Sequence, residues 1–161
     1  MAVPYVPFAL ENPVFQVYLA TAALMLLKLM LQPWMTVMRM MRVKGGYRSP
    51  EDAKKSPINP TPSPAQLVHN EYVDRSRRMN LNDLETIPGF VMAGFIFVAA
   101  GPSLVFAQIV LWTFVVSRLC HFVAYATAQY HEVRATFWTI GSVSVLVMVG
   151  YTLAQVFRQT A

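Results

Sequence analysis

The chain has 161 residues, of which 55% are apolar and 13% charged, and its formal net charge is +5. A soluble domain carries about 25% charged residues, so this composition excludes an ordinary soluble globular protein. One cysteine excludes a disulfide framework, and the sequence predicts no metal site.

Four apolar runs each approach the ~20 residues that a helix needs to cross a bilayer. They predict helices over about 13–43, 74–100, 103–128 and 134–157, with a cytosolic loop over 44–73. Asn12 and Pro13 suit the start of the first helix, and Gly101 with Pro102 ends the second. The predicted fold is an all-α integral membrane protein, a single four-helix transmembrane domain over 1–161.

The basic residues predict the orientation of these helices. Nine of the thirteen are Arg39, Arg42, Lys44, Arg48, Lys54, Lys55, Arg75, Arg77 and Arg78. The positive-inside rule places this region in the cytosol, beside the lipid bilayer. Nucleic acid is not an expected partner, because these residues flank helices at a membrane surface and no nucleic-acid-binding motif accompanies them.

Polar residues recur inside two of the predicted helices. On the second helix, a spacing of three or four places four of them on one face: Arg75, Arg78, Asn82 and Glu85. On the third helix, the same spacing aligns Arg118, His121 and Tyr125. A charge near the bilayer centre costs roughly 2.5–3.5 kcal/mol, so we expect the two stripes to face each other or a wet cavity.

Two interpretations of these stripes remain open. Glu85 and Arg118 are the right pair for a buried salt bridge that only fixes helix register. Arg75, Arg78 and Arg134, however, are predicted at the cytosolic mouth with too few carboxylates to neutralise them. An uncompensated cationic funnel above a polar pocket predicts a binding site for an anion.

Several segments together resemble a known family. They are PEDA (50–53), VDRSRRMNLNDLETI (73–87), GP (101–102) and RLCHFVAY (118–125). The resemblance is to the MAPEG superfamily, membrane-associated proteins of eicosanoid and glutathione metabolism, in the branch of microsomal glutathione transferases and prostaglandin E synthases. It implies a homotrimer in the endoplasmic reticulum membrane, with glutathione bound between adjacent subunits on the cytosolic side.

The resemblance also implies roles for individual residues. Those expected to bind glutathione are Arg75, Arg78, Asn82, Glu85, His121, Tyr125 and Arg134, with Arg118 in support and Arg39 or Arg42 from the first helix completing the clamp. Arg134 is expected to be catalytic, because a cation beside the sulfur favours the thiolate. Asp52, in PEDA, matches an aspartate proposed to assist in the prostaglandin E synthases.

Two positions depart from the synthase pattern and bear on the reaction. Ala135 stands where the synthases have a serine, which excludes a serine-dependent mechanism, and Trp138 replaces a tyrosine and is expected to line the lipophilic substrate's site. The function implied is glutathione-dependent chemistry on lipophilic substrates: isomerisation of prostaglandin H2 to E2, transfer to electrophiles, or reduction of lipid peroxides.

Two alternatives of other classes stand beside this enzyme. One is a non-catalytic membrane protein that binds glutathione or a lipid and regulates a partner protein. The other is an ion or proton conductor that uses Glu85, His121 and Arg118 as a relay. The conductor is disfavoured because the second helix has no ionisable residue from Ile87 to Ala100.

Overall fold

Four long helices dominate the computed structural model, which describes residues 6–160. They are α1 (Pro13–Val43), α2 (Glu71–Ala99), α3 (Leu104–Ala126) and α4 (His131–Thr160), and two short 3-10 helices span Pro50–Ala53 and Pro64–Leu67. All four long helices are long and apolar enough to cross a membrane, and residues 6–160 contain no strand. The predicted all-α membrane fold is confirmed at this level.

Two helices begin earlier than the apolar runs indicate. α2 begins at Glu71 rather than at 74, because Asn70 caps it: its Oδ1 accepts hydrogen bonds from the backbone N–H groups of Tyr72 at 3.1 Å and Val73 at 3.2 Å. α4 begins at His131 rather than at 134. Both extra turns carry polar residues, which a search for apolar length does not include.

The described chain divides into two compact units. One comprises residues 29–83, and the other combines the segments before and after it. α1 and α2 therefore each contribute residues to both units. The organisation of the whole chain as a single domain stays a prediction.

The unit formed by residues 6–28 and 84–160 has a core of apolar side chains spaced three or four apart on α1, α2 and α3. Its aromatic residues make close contacts: the rings of Phe90 and Phe114 stack with their centroids 3.9 Å apart. The Tyr18 hydroxyl donates a hydrogen bond to the carbonyl of Val91 at 3.0 Å. Gly94 leaves the room that Tyr18 needs, because a Cβ there would lie 2.7 Å from its ring. These contacts join α1, α2 and α3 within this unit.

Small residues bring α3 and α4 together. A Cβ on Gly141 would lie 2.8 Å from the Oγ of Ser117 and 3.7 Å from the ring of Phe114. Ser144 and Met148 follow Gly141 at helical spacing on the same buried face. Close backbone approach at small residues is the usual way that helices pack in a membrane. This contact fixes α4 relative to α3, and α3 and α4 carry His121 and Arg134.

The unit of residues 29–83 contains the connection between α1 and α2. A reciprocal amide pair holds the two 3-10 helices: Asn59 donates to Gln66 at 2.8 Å and Gln66 donates to Asn59 at 3.0 Å. Both side chains are buried. The Asn59 amide also donates to the carbonyl of Asp52 at 3.3 Å. The connection is therefore an ordered structure in which each amide supplies what the other needs.

Arg77 fastens this connection to α2. Its guanidinium contacts Asp74 at 2.6 Å and donates to the carbonyl of Gly46 at 2.7 Å. Gly46 has φ +71°, and a Cβ there would lie 3.0 Å from Val73, so only glycine suits the position. Arg48 at 3.1 Å and His69 at 2.7 Å also contact Asp74. Arg77 and Asp74 therefore have a structural role.

Candidate functional site

Three polar side chains on α3 and α4 form a cluster. The Arg134 guanidinium lies over the Tyr125 ring, 4.4 Å from its centroid. The His121 ring centroid lies 5.3 Å from that of Tyr125. We call His121, Tyr125 and Arg134 the α3–α4 cluster. The structure thus brings together three of the residues that the sequence assigned to the site.

The first turn of α4 gives this cluster its electrostatic character. Arg134 is the fourth residue of α4, where the N–H groups of the helix terminus also present positive potential. Its Nε is buried and has no hydrogen-bond partner among residues 6–160. A guanidinium stacked on an aromatic face and placed at a helix N-terminus is suited to binding an anion.

Arg118 lies one turn before His121 on the same face of α3 and is fully buried. Glu85, by contrast, is exposed, and the described residues include no ion pair between Glu85 and Arg118. The single chain therefore does not contain the salt bridge between them, and the expectation that the two stripes face a wet cavity stays a prediction. Depth along antiparallel helices places them at a similar level, but it does not determine which way each helix face points.

The arginines at the start of α2 are not uncompensated. The Oε1 of Glu71 lies 2.5 Å from the Nη2 of Arg78 and 3.4 Å from the Nη2 of Arg75. The prediction of too few carboxylates beside Arg75 and Arg78 is therefore wrong, because α2 begins at Glu71 rather than at residue 74. Asn70 followed by an acidic residue is a helix-start signal that identifies Glu71 as part of the helix.

The remaining predicted contacts from residues 29–83 differ in exposure. Asn82 is half-buried, and its amide donates to the carbonyl of Arg78 at 2.8 Å. Arg39 is buried, donates to the carbonyl of Tyr72 at 2.9 Å and stacks on the Tyr72 ring at 4.3 Å. Arg42 is exposed, so of the two candidates on α1, Arg42 has the freer guanidinium.

Three further predicted residues have surroundings that bear on their roles. Asp52 is exposed in the 3-10 helix Pro50–Ala53. Ala135 is half-buried beside Arg134 on α4, and Trp138, one turn further along, is exposed. Trp138 is therefore accessible to a lipophilic molecule.

An apolar groove of about 440 Å³ runs between α3 and α4. Its lining includes Trp112, Val116, Cys120, Phe137 and Ile140. Phe137 follows Arg134 by one turn and Cys120 is adjacent to His121, so the groove and the α3–α4 cluster share the same helix segments. The sequence did not predict this groove, because it is formed by ordinary apolar residues.

Comparison with known proteins gives a family and two kinds of relative. The model of the MAPEG family matches residues 17–154. Microsomal glutathione S-transferase 1 from Rattus norvegicus is 29% identical over 92% of this chain and 90% of its own length. Prostaglandin E synthase from Homo sapiens is 27% identical over 81% of this chain and 82% of its own length.

Proposed function

The chain belongs to the MAPEG family, and on this premise we propose that it is a glutathione-dependent membrane enzyme acting on lipophilic substrates. The observation that carries the proposal is the α3–α4 cluster, in which Arg134 is held 4.4 Å above Tyr125 in the first turn of α4. The similarity to microsomal glutathione S-transferase 1 and prostaglandin E synthase supports glutathione as the cosubstrate.

Arg134 is the proposed catalytic residue. A thiolate is a far better nucleophile than a thiol, and a nearby cation lowers the pKa of the sulfur. The positive end of α4 acts in the same direction. The buried Nε of Arg134 gains an acceptor when the anion is bound.

The glutathione contacts are proposed by resemblance, residue by residue. The tripeptide has two carboxylates and one ammonium group, so it requires both cations and a carboxylate. We assign the cationic and polar contacts to Arg75, Arg78, Asn82, His121 and Tyr125, with Arg42 from α1. Glu85 is assigned to the ammonium group, which its exposed carboxylate suits. Arg118 supports His121 from one turn below, and Asp52 is a proposed assisting residue.

The α3–α4 groove is the proposed approach for the lipophilic substrate. Its apolar lining opens toward the region that lipid tails would occupy, and Trp138 extends the apolar surface beside Arg134. In a transfer reaction the thiolate forms a carbon–sulfur bond while the leaving group departs from the same carbon. No hydroxyl at position 135 is required for that step.

Prostaglandin H2 is the second proposed substrate class. The thiolate attacks one endoperoxide oxygen, the O–O bond breaks, and the other oxygen takes a proton. Loss of the proton on the carbon beside the sulfur-bound oxygen forms a ketone and breaks the S–O bond. Glutathione is regenerated, so this reaction consumes none.

The assembly and location belong to the same proposal. We propose a homotrimer in the endoplasmic reticulum membrane, with glutathione bound between adjacent subunits on the cytosolic side. Nine basic residues between Arg39 and Arg78 support the cytosolic placement of the α1–α2 connection.

Purified protein assayed with glutathione tests this proposal. The acceptors are prostaglandin H2, a chlorodinitrobenzene-type electrophile and a lipid hydroperoxide, each with a control that lacks glutathione. We expect glutathione-dependent turnover of at least one acceptor. Glutathione binding without turnover of any of them would favour the non-catalytic regulator instead.

A further inference from the structure

Glu71 is a residue to which neither the family pattern nor the sequence gave a role. It is the first residue of α2, and its Oε1 contacts both Arg78 at 2.5 Å and Arg75 at 3.4 Å. The other oxygen, Oε2, lies 3.7 Å from the Nε2 of His69. One carboxylate therefore engages two of the arginines that are proposed to bind glutathione.

We infer that Glu71 is an internal counter-anion that occupies Arg75 and Arg78 in the empty protein and competes with a carboxylate of glutathione for them. The inference rests on the proposed function, because it names the same two arginines as glutathione contacts. Glu71 would thereby set the affinity of the site for glutathione. It would also set how many negative charges the site prefers in a ligand.

Because these groups are exposed, replacing Glu71 by a carboxylate of the ligand costs little free energy. The side chain of Glu71 is 53% exposed and that of Arg78 is 43% exposed, so water already reaches the pair. An exposed ion pair contributes little to stability, and water and ligand groups readily replace it. A carboxylate of a bound ligand can therefore take the place of Glu71 without leaving a buried charge unpaired.

A neighbouring pair shows the opposite arrangement. Arg77 and Asp74 lie 2.6 Å apart with side chains only 19% and 11% exposed, and Arg77 also holds the Gly46 carbonyl. Displacing Asp74 would break the attachment of the connection to α2. Of these two ion pairs of α2, Glu71 with Arg78 is thus the one that suits exchange with a ligand.

The backbone keeps the Glu71 carboxylate near these arginines. Arg75 and Arg78 follow it by four and seven residues, and therefore share its helix face. Asn70 caps the helix immediately before it. The N-terminus of α2 also favours a negative charge at this position, whichever carboxylate supplies it.

Glu71→Gln removes the charge and nearly preserves the shape of the side chain. Glutathione binding to the purified full-length protein is measured by calorimetry, together with turnover kinetics and thermal unfolding. We expect Kd for glutathione to fall about two- to five-fold, the range of an exposed ion pair. KM for glutathione should fall with it, while kcat and the unfolding temperature stay close to those of the wild type.

The matched control is Glu51→Gln, which removes the same charge from an exposed position in the 3-10 helix Pro50–Ala53. Its Kd should equal that of the wild type. The diethyl ester of glutathione, which lacks both carboxylates, should bind the wild type and Glu71→Gln equally. High salt should reduce the difference between the two proteins for glutathione itself, because it screens exposed charges.

An unchanged or higher Kd for Glu71→Gln would overturn the inference and make Glu71 a residue that orients the arginines. An equal gain for the diethyl ester would also overturn it, because no carboxylate competes in that case. Failure of the proposed function looks different: the wild type would not bind glutathione, and both proposals would fall together. If Glu71→Gln unfolds, Glu71→Asp retains the helix-start charge but shortens the side chain, and a fall in Kd is still expected.

Discussion

Arg77 and Arg134 illustrate two uses of the same side chain. Arg77 is surrounded by acceptors, with Asp74 and the Gly46 carbonyl within hydrogen-bond distance. Arg134 has an aromatic face below it, and its buried Nε has no acceptor among the described residues. The hydrogen bonds of Arg77 therefore hold the fold together, whereas we propose that Arg134 binds an anion.

Arg78→Ala should weaken glutathione binding by about 1.5–3 kcal/mol, the scale of a hydrogen bond between charged groups. Arg48→Ala is the matched control, because Arg48 is an exposed arginine of the same unit whose guanidinium contacts Asp74. Calorimetry should show unchanged affinity for that control. Equal affinities for Arg78→Ala and the wild type would show that Arg78 does not bind glutathione and has only a structural role on α2.

The four helices were predictable from the sequence because crossing a bilayer requires a minimum apolar length. Asn12, Pro13, Gly101 and Pro102 also marked helix ends through local backbone chemistry. Helix starts that contain polar residues were misplaced, and Glu71 was missed for that reason. Whether Glu85 and Arg118 face each other could not be predicted from their depth, because spacing along a helix does not determine how that helix is rotated against its neighbours.

Gly141→Ala tests the contact that sets α4 against α3. Its Cβ would lie 2.8 Å from the Ser117 Oγ, so either this hydroxyl, which donates to the Phe114 carbonyl, or the helix backbone must shift. We expect a loss of about 1–3 kcal/mol of stability, seen as a lower unfolding temperature in detergent. Activity should fall too, because the same shift moves Arg134 relative to Tyr125.

Gly150→Ala is the control for that variant on the same helix. Among residues 6–160, a Cβ at Gly150 meets no atom within 4 Å apart from its chain neighbours and its own helix backbone, so the change adds only helix propensity, worth up to about 1 kcal/mol in favour of alanine. Its unfolding temperature should equal or exceed that of the wild type. If both variants behave alike, the α3–α4 approach does not depend on Gly141.

Asn59→Ala tests the order of the α1–α2 connection. It leaves the buried Gln66 amide without its reciprocal partner, at a cost of about 1–3 kcal/mol. Trypsin should then cleave faster after Lys54 and Lys55, which lie in this connection. The exposed Thr61→Ala should be cleaved at the wild-type rate, and equal rates for all three proteins would show that the amide pair does not order this segment.

At the scale of the whole molecule, the helices leave much apolar surface uncovered. In the apolar 18-residue stretch of α4, only 17% is buried within the single chain. In the corresponding stretch of α3, 44% is buried. Lipid covers such surface, and so does another subunit. A homotrimer is the assembly that we propose, with faces of this kind at its subunit interfaces.

The mass of the detergent-solubilised protein tests that assembly. We expect three chains per particle by light scattering corrected for detergent, and loss of glutathione binding when the particle is dissociated. In the proposed trimer the glutathione site lies between subunits, so we expect one chain alone to hold an incomplete site. A monodisperse monomer with full activity would contradict both the trimer and the interfacial site.

We propose that the protein binds glutathione as a thiolate beside Arg134. The most direct measurement is the ultraviolet difference spectrum of the glutathione thiolate, recorded near neutral pH on wild type and on Arg134→Leu. We expect a thiolate band with the wild type and its loss with Arg134→Leu, while glutathione affinity falls much less and turnover falls by orders of magnitude. A wild-type protein with no thiolate band, or an Arg134→Leu protein that keeps the band and its turnover, would contradict this proposal.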